Sequence, residues 1–351
     1  MVKTIESSEI ERFVKKLKSI TITSSIITTH KNADPDAIAS SYALIELLKE
    51  TKAGIKTYFI LPEGLSAASK RLIENLKISI EMLQPKKLDN EIIKNIDSIF
   101  IVDTCSPEQL GVLKDIIQER ANKAKIFIID HHFPHKDLVD IAYAPLVLND
   151  ARATSEIVFL LYEKLGIPLS KEAANMLLAG IVYDTRHFIL ARPETFNIVA
   201  GLIKSGANYP TILKALQTKM DISERMARLK AAQRMHIHKI NNWIIVTTNV
   251  GAYEASAARA ILDLGADVAF VASEDKGEVR VSVRAKEDFC KSTGIHFGRD
   301  VMKPLGEFLR GGGGGHETAA AASGKGSAEL ALIKCLELLR NLLKSKGDSH
   351  G

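Results

Sequence analysis

Eight aspartates and histidines, of the kinds that hold divalent cations, crowd into four short segments. His30, Asp34 and Asp36 lie in ITTHKNADPDAIAS, Asp103 ends SIFIVD, Asp130-His131-His132 ends KIFIIDHH, and Asp184 ends GIVYD. Five aspartates gathered in one crevice raise one another's pKa, and burial raises them further, so bound cations are the natural compensation. Carboxylates and imidazoles without a thiolate favour hard or intermediate ions such as Mn²⁺ or Mg²⁺ over a structural zinc. Asp103, with no second carboxylate beside it, suits a ligand bridging two ions about 3.5–4 Å apart. Pro35 interrupts any helix before it, so Asp34 and Asp36, about 200° apart on a continuous helix, can turn toward one cavity from a strand-to-helix loop. Asp36 is equally a good N-cap for a helix over residues 37–49, and both roles stay open at this point.

These segments need a frame that brings them together. Apolar β-rich runs over residues 25–29, 55–61, 98–103, 125–130 and 141–147 alternate with helical patterns over 37–49, 67–76, 107–121 and 154–165. The alternation predicts an α/β, doubly wound, mostly parallel sheet, in which ligands bind beyond the carboxyl ends of the strands where the strand order reverses. Three of the runs end on the candidate residues: ITTH, FIVD and FIIDHH. A helical stretch over 171–183 leads into Asp184, and further helix over 194–234, broken at GANYP, reads as a connection. A second β-rich block follows over 243–248, 267–272 and 278–283, and then the glycine run 311–315. The small-residue stretch 317–323 after His316 reads as a helix whose first backbone N–H groups, with the glycine loop, could cradle an anion. An amphipathic helix over 328–343 closes the pattern. The expected organisation is a domain over 1–192, a helical connection over 193–240, a second domain over 241–345 and a disordered tail over 346–351.

Composition narrows the classes. With 351 residues, 46% of them apolar, the chain can build two sizeable cores. No apolar window approaches the about 18 residues of a membrane span and the first residues lack a signal-peptide pattern, so a cytoplasmic protein without membrane contact is expected. Three separated cysteines indicate neither disulfides nor a thiolate metal site. A net charge of +5 does not support a broad duplex-binding surface and is compatible with a small anionic ligand. His236 and His238 have no acidic companion and read as surface or packing residues, as do the more isolated His135 and His296; Arg152 and Arg192 read as ordinary salt-bridge partners.

In this order and at these spacings the four segments resemble the four motifs of the DHH phosphoesterase superfamily. Arg284 in VRVSVRAK and Gly311 to His316 in GGGGGHETAAAAS resemble its DHHA1 substrate domain, carried by the nanoRNase, cyclic-dinucleotide phosphodiesterase and RecJ-like branches. The resemblance spans essentially the whole chain. It implies a DHH domain joined by helices to a smaller α/β DHHA1 domain, with the active site in the interdomain cleft. It further implies one Mn²⁺ on His30, Asp34 and Asp103, and a second on Asp36, Asp103, His131 and Asp184, with Mg²⁺ as a substitute. Asp130 would orient the imidazoles, and His132 would face the phosphate as the catalytic acid or charge stabiliser. Arg284, Gly313, Gly314, Gly315 and His316 would hold the substrate. The fourth motif departs from the commoner pattern, since Arg186-His187-Phe188 follows Asp184-Thr185 where glycine usually stands; Arg186 either adds a phosphate contact or pairs with a surface acid.

The activity so implied is in-line attack of metal-activated water on a phosphodiester, trimming short single-stranded oligonucleotides to mononucleotides in the 3'-5' manner. Cyclic dinucleotides and 3'-phosphoadenosine 5'-phosphate are alternative substrates, and a homodimer is plausible by family likeness. A non-catalytic nucleotide-binding replication adaptor is the reading from another class; it predicts lost ligands, and none is missing.

Overall fold

The computed structural model describes residues 7–217 and 220–347. The chain divides into two compact units, residues 1–218 and 219–351. This division falls inside the stretch expected as a helical connection. Helices Pro193–Lys204 and Tyr209–Leu216 bury Ile198, Leu202, Ile212 and Ala215 in the core of the first unit.

The first unit is built on β1 (Ser24–Thr28), β2 (Lys56–Ile60), β3 (Ser98–Val102), β4 (Lys125–Asp130) and β5 (Ala144–Val147), in the order β2-β1-β3-β4-β5 and parallel throughout. Strands covered on both faces read as continuous apolar runs. SIFIV and KIFIID show why: Phe100 and Phe127 stack at 4.6 Å on one face, while Ile99, Ile101, Ile126 and Ile128 fill a separate core on the other. The order reverses between β1 and β3, so the loops after these neighbouring strands part and open a crevice at their carboxyl ends. The helix expected over 107–121 is instead a 3-10 turn, Pro107–Leu110, and a helix, Leu113–Arg120, separated at Gly111 with φ 52°. Residues 136–141 are helical, which delays the fifth strand to Ala144.

The second unit carries β6 (His236–Ile240), β7 (Trp243–Asn249), β8 (Val268–Asp275), β9 (Glu278–Ala285), β10 (Gly312–Gly315) and β11 (Ala319–Lys325). They form one mixed sheet in the order β10-β11-β9-β8-β7-β6, antiparallel except for β7 with β8. Phe270, Phe289, Phe297, Leu305 and Leu339 make the core on one face; Ala257, Ile261, Val246 and Val271 make a smaller one on the other.

The glycine run corrects the sequence reading. It is a strand, and the stretch after His316 is the strand β11, so no helix start stands there. Alanine's helix propensity gives way to tertiary packing, because the backbones crowd. A Cβ on Gly313 would overlap the Met302 carbonyl, and one on Gly306 would lie 2.5 Å from the Gly313 nitrogen. The last helix runs Ala328–Gly347, so the first two residues of the expected tail are helical and residues 348–351 lie outside the described ones. Among the described residues no helix is long and apolar enough to cross a membrane.

Candidate metal centre and active site

The carboxyl ends of three strands of the first sheet and the ends of two helices each deliver part of one cluster. His30 lies just beyond β1, Asp34 caps the helix Pro35–Thr51, Asp103 follows β3, Asp130 ends β4, and Asp184 ends the helix Lys171–Asp184. The N-cap is therefore Asp34 and not Asp36: its Oδ1 accepts from the backbone N–H groups of Asp36 (3.0 Å) and Ala37 (3.1 Å), with Pro35 in the first helical position. Asp36 sits one residue into the helix and is fully buried.

Ligand atoms of His30, Asp34 and Asp103 all lie within 4.8 Å of one another, and so do those of Asp36, His131 and Asp184. Asp103 faces both sets. Its Oδ2 is 3.6 Å from His30 Nε2 and its Oδ1 is 3.6 Å from His131 Nε2. A backbone in the left-handed region, φ 62°, turns this residue off the end of the strand. His30 Nδ1 donates to the Lys31 carbonyl at 2.8 Å, which fixes the tautomer that leaves Nε2 toward the carboxylates. His131 Nε2 is buried without a hydrogen bond, 3.2 Å from Asp184 Oδ2. A buried imidazole nitrogen without a hydrogen-bond partner among carboxylate oxygens fits a divalent cation, so these residues could hold one or two such ions.

Asp130 plays a different part. Its Oδ1 accepts from the His131 N–H (2.8 Å), the His132 N–H (3.2 Å) and His132 Nδ1 (2.8 Å), which leaves that oxygen occupied. The carboxylate thus fixes the His132 ring but holds His131 only through the backbone. His132 is half-exposed beside a cavity of about 320 Å³ that His30, Asp34, Asp103, Gln109 and Phe133 also line.

Electrostatics follow the crowding. Burial, with the charges of Asp103 and Asp184, pushes Asp36 well above the carboxylate range. Burial likewise raises Asp103 to about 6 against the pull of His30. Burial opposes charging of His30 and His131, yet the carboxylates of Asp103 and Asp34 lift the first to about 11, and those of Asp184, Asp36 and Asp103 lift the second to about 10. Protons here stand where divalent cations would do the same work, and metal binding must displace them.

Three contributors were invisible in the sequence. The carboxylate of Asp36 is gripped by the first backbone N–H groups of the helix Thr154–Leu165: Thr154 N–H to Oδ2 at 2.6 Å and Ser155 N–H to Oδ1 at 3.0 Å. The Thr154 hydroxyl donates to Asp103 Oδ1 at 2.7 Å, so one residue braces both halves of the cluster. Gly180 lets the helix Lys171–Asp184 approach, since a Cβ there would lie 2.6 Å from Asp36 Oδ1 and overlap the Ser155 hydroxyl. A residue whose backbone or missing side chain does the work carries no signature in one sequence.

Arg186 is exposed and forms no ion pair among the described residues, so the surface-acid alternative is not realised. Arg186, His187 and Phe188 are three successive left-handed residues, φ 49°, 58° and 70°, a backbone conformation that favours glycine. Arg192 pairs with Asp150 (3.1 Å) and Glu194 (3.6 Å). His236 and His238 lie on β6 and join no metal-binding cluster among the described residues.

The remaining predicted site residues gather in the second unit. Arg284, half-buried on β9, has a buried Nε without a hydrogen-bond partner and pairs in register with Ala319. His316 donates its N–H to the Ala319 carbonyl at 2.8 Å, so both flank the same position at the end of β10, which contains Gly313, Gly314 and Gly315.

The family models for the DHH family N-terminal domain and the DHHA1 domain match residues 24–181 and 244–345. The chain belongs to the DHH phosphoesterases, hydrolases that act on phosphodiester bonds. It is 35% identical over 316 residues to the uncharacterized protein MJ0988 of Methanocaldococcus jannaschii, covering 89% of this chain and 91% of that one. Cyclic-di-AMP phosphodiesterase GdpP of Bacillus subtilis is 28% identical over 339 residues, 93% of this chain, which spans about half (49%) of GdpP. Bifunctional oligoribonuclease and PAP phosphatase NrnA of the same organism is 29% identical over 169 residues, 47% of each chain.

Proposed function

We propose that this chain trims short single-stranded oligonucleotides to mononucleotides as a Mn²⁺-dependent, 3'-5' phosphodiesterase. One ion would be held by His30, Asp34 and Asp103, the other by Asp36, Asp103, His131 and Asp184. The observation that carries this reading is Asp103, whose two oxygens face two different histidines at 3.6 Å each. Ions bound there lower the pKa of water toward neutrality and neutralise charge on phosphoryl oxygens.

The chain's own groups do the rest. Asp36 is held immobile by two N–H donors and His30 by the Lys31 carbonyl, so the reacting geometry needs no rearrangement. Asp130 keeps a proton on His132 Nδ1 and raises the pKa of that ring, so the ring can donate to a departing oxygen from the cavity wall. Arg284 and His316, with the backbone of Gly313, Gly314 and Gly315, would hold a phosphate or base remote from the reaction. NrnA, named an oligoribonuclease, supports the substrate class. A cyclic dinucleotide is the second reading, favoured by the GdpP match along 93% of this chain. A cytoplasmic setting and a homodimer belong to the same proposal.

A hydrolysis panel with Mn²⁺ tests it: RNA and DNA of two to five nucleotides, longer strands, cyclic di-AMP, 3'-phosphoadenosine 5'-phosphate and pyrophosphate. Short oligomers should be cleaved fastest, and Asp103→Asn should abolish cleavage of every substrate. Parent-like turnover by that variant overturns the two-ion assignment; cleavage confined to cyclic di-AMP transfers the function to the second reading.

A further inference from the structure

One face of the second sheet is paved with small residues along β11 and β10. Ala319, Ala321 and Ser323 point to it from β11, paired with Gly314 (opposite Ala321) and Gly312 (opposite Ser323), neither of which would meet anything with an added Cβ. On β9 the register sets Arg284 beside Ala319 and Arg280 beside Ser323. At the Arg280 end the floor opens into a cavity of about 610 Å³, lined among others by Ser273, Arg280, Arg310, Gly312 and Lys325. Arg280, Arg310 and Lys325 are exposed and form no ion pair among the described residues, although Asp275 and Glu278 share the rim. Three cations without an ion-pair partner, against two carboxylates, around a concave, side-chain-poor floor leave a net positive rim that suits a polyanion lying flat on the sheet.

Distance decides which polyanion. Four residues of strand separate Arg280 from Arg284, about 13 Å at the usual rise. A phosphate held at Arg284 and another near Arg280 therefore belong to non-adjacent linkages of an extended strand. A dinucleotide, linear or cyclic, cannot reach both. We infer that Arg280, Arg310 and Lys325 form a distal phosphate subsite that engages linear single strands longer than a dinucleotide. The inference rests on the oligonucleotide reading above and narrows it to a substrate length.

The test is equilibrium binding of fluorescently labelled pentauridylate and diuridylate to the full chain in chelator, followed by anisotropy, beside hydrolysis of both with Mn²⁺. The parent should bind pentauridylate the more tightly. In Arg280→Ala/Arg310→Ala the ratio of the two affinities should fall about tenfold, the scale of one charge-assisted hydrogen bond. The salt slope for the pentamer should flatten by about 0.7 for each phosphate that the variant no longer neutralises. Arg280→Lys should keep part of the preference, and unchanged thermal unfolding would separate the effect from misfolding. Equal weakening for both strands, no weakening, or a parent without length preference each overturn the subsite. If the parent binds with this pattern but hydrolyses neither strand, the subsite stands and the catalytic reading falls.

Discussion

Gly180→Ala separates the packing that shapes the cluster from the ligands themselves. The added methyl would lie 2.6 Å from Asp36 Oδ1 and 3.1 Å from Asp36 Cα, and would overlap the Ser155 hydroxyl. The hydroxyl has no hydrogen-bond partner and can rotate away, but Asp36 is tied by two backbone N–H donors and its Cα belongs to a buried helix. Relief therefore comes from moving the helix Lys171–Asp184 outward by a few tenths of an ångström, and Asp184 ends that helix. Overpacking costs about 1–3 kcal/mol, while replacing a mid-helix glycine by alanine returns about 1 kcal/mol, so the net loss is about 0–2 kcal/mol. On a unit of this size, that lowers Tm by at most about 8 °C. Asp36 and Asp184 belong to one candidate ligand set, so the site suffers more than the fold. Mn²⁺ affinity should weaken about tenfold or more and turnover about a hundredfold, the scale expected for misplaced reacting groups. Calorimetric Mn²⁺ titration, thermal unfolding and hydrolysis of one short oligomer measure the three quantities. Parent-like affinity and turnover with an unchanged Tm would refute the claim that Gly180 is required for close approach.

Thr154→Val removes the hydroxyl that donates to Asp103 at 2.7 Å while keeping shape; it should cost about 1.5–3 kcal/mol in metal binding, and Thr154→Ser should restore most of it, both read by Mn²⁺ titration. Stability without metal should fall as pH rises. Asp36, Asp103, His131 and His30 all hold protons more tightly folded than unfolded, so their contribution is complete below their ordinary values, 3.8 for aspartate and 6.5 for histidine. It fades as Asp103 ionises near 6 and as His131 and His30 lose protons near 10 and 11. Melting curves from pH 4 to 10 in chelator check the slope, and saturating Mn²⁺ should reverse it over the neutral range because coordination requires the deprotonated ligands. Mn²⁺ binding at pH 7.5 should release protons, seen as a calorimetric heat that varies with buffer ionisation enthalpy. Asp130→Asn removes the carboxylate that raises the pKa of His132, so the alkaline limb of the pH–rate profile should move to lower pH; an unmoved limb would remove His132 as the acid.

Why the clustered acidic and imidazole residues were legible and their supports were not has a physical cause. A parallel sheet buried on both faces writes itself as apolar runs, and polar residues that stop such a run must sit at the carboxyl edge where loops can use them. FIVD and FIIDHH carry that signature within six residues, and so Asp103, Asp130, His131 and His132 could be assigned to one edge from the sequence alone. Thr154, Ser155 and Gly180 act through a hydroxyl, two backbone N–H groups and a missing methyl, none of which departs from what an ordinary helix contains. The glycine run misled for a related reason. Glycine has no side-chain period and alanine favours helix in isolation, so GGGGGHETAAAAS reads locally as loop and helix, whereas the crowded backbones of Gly298, Gly306, Gly313 and Gly315 make a strand pair out of the residues small enough to fit. Local pattern thus reports where charge is concentrated, while the geometry that makes the charge useful is set by close approach. Two such close approaches, Gly180 beside Asp36 and the glycine strand beside Ala320, are places where substitution by the smallest side chain, alanine, tests the fold and the site together.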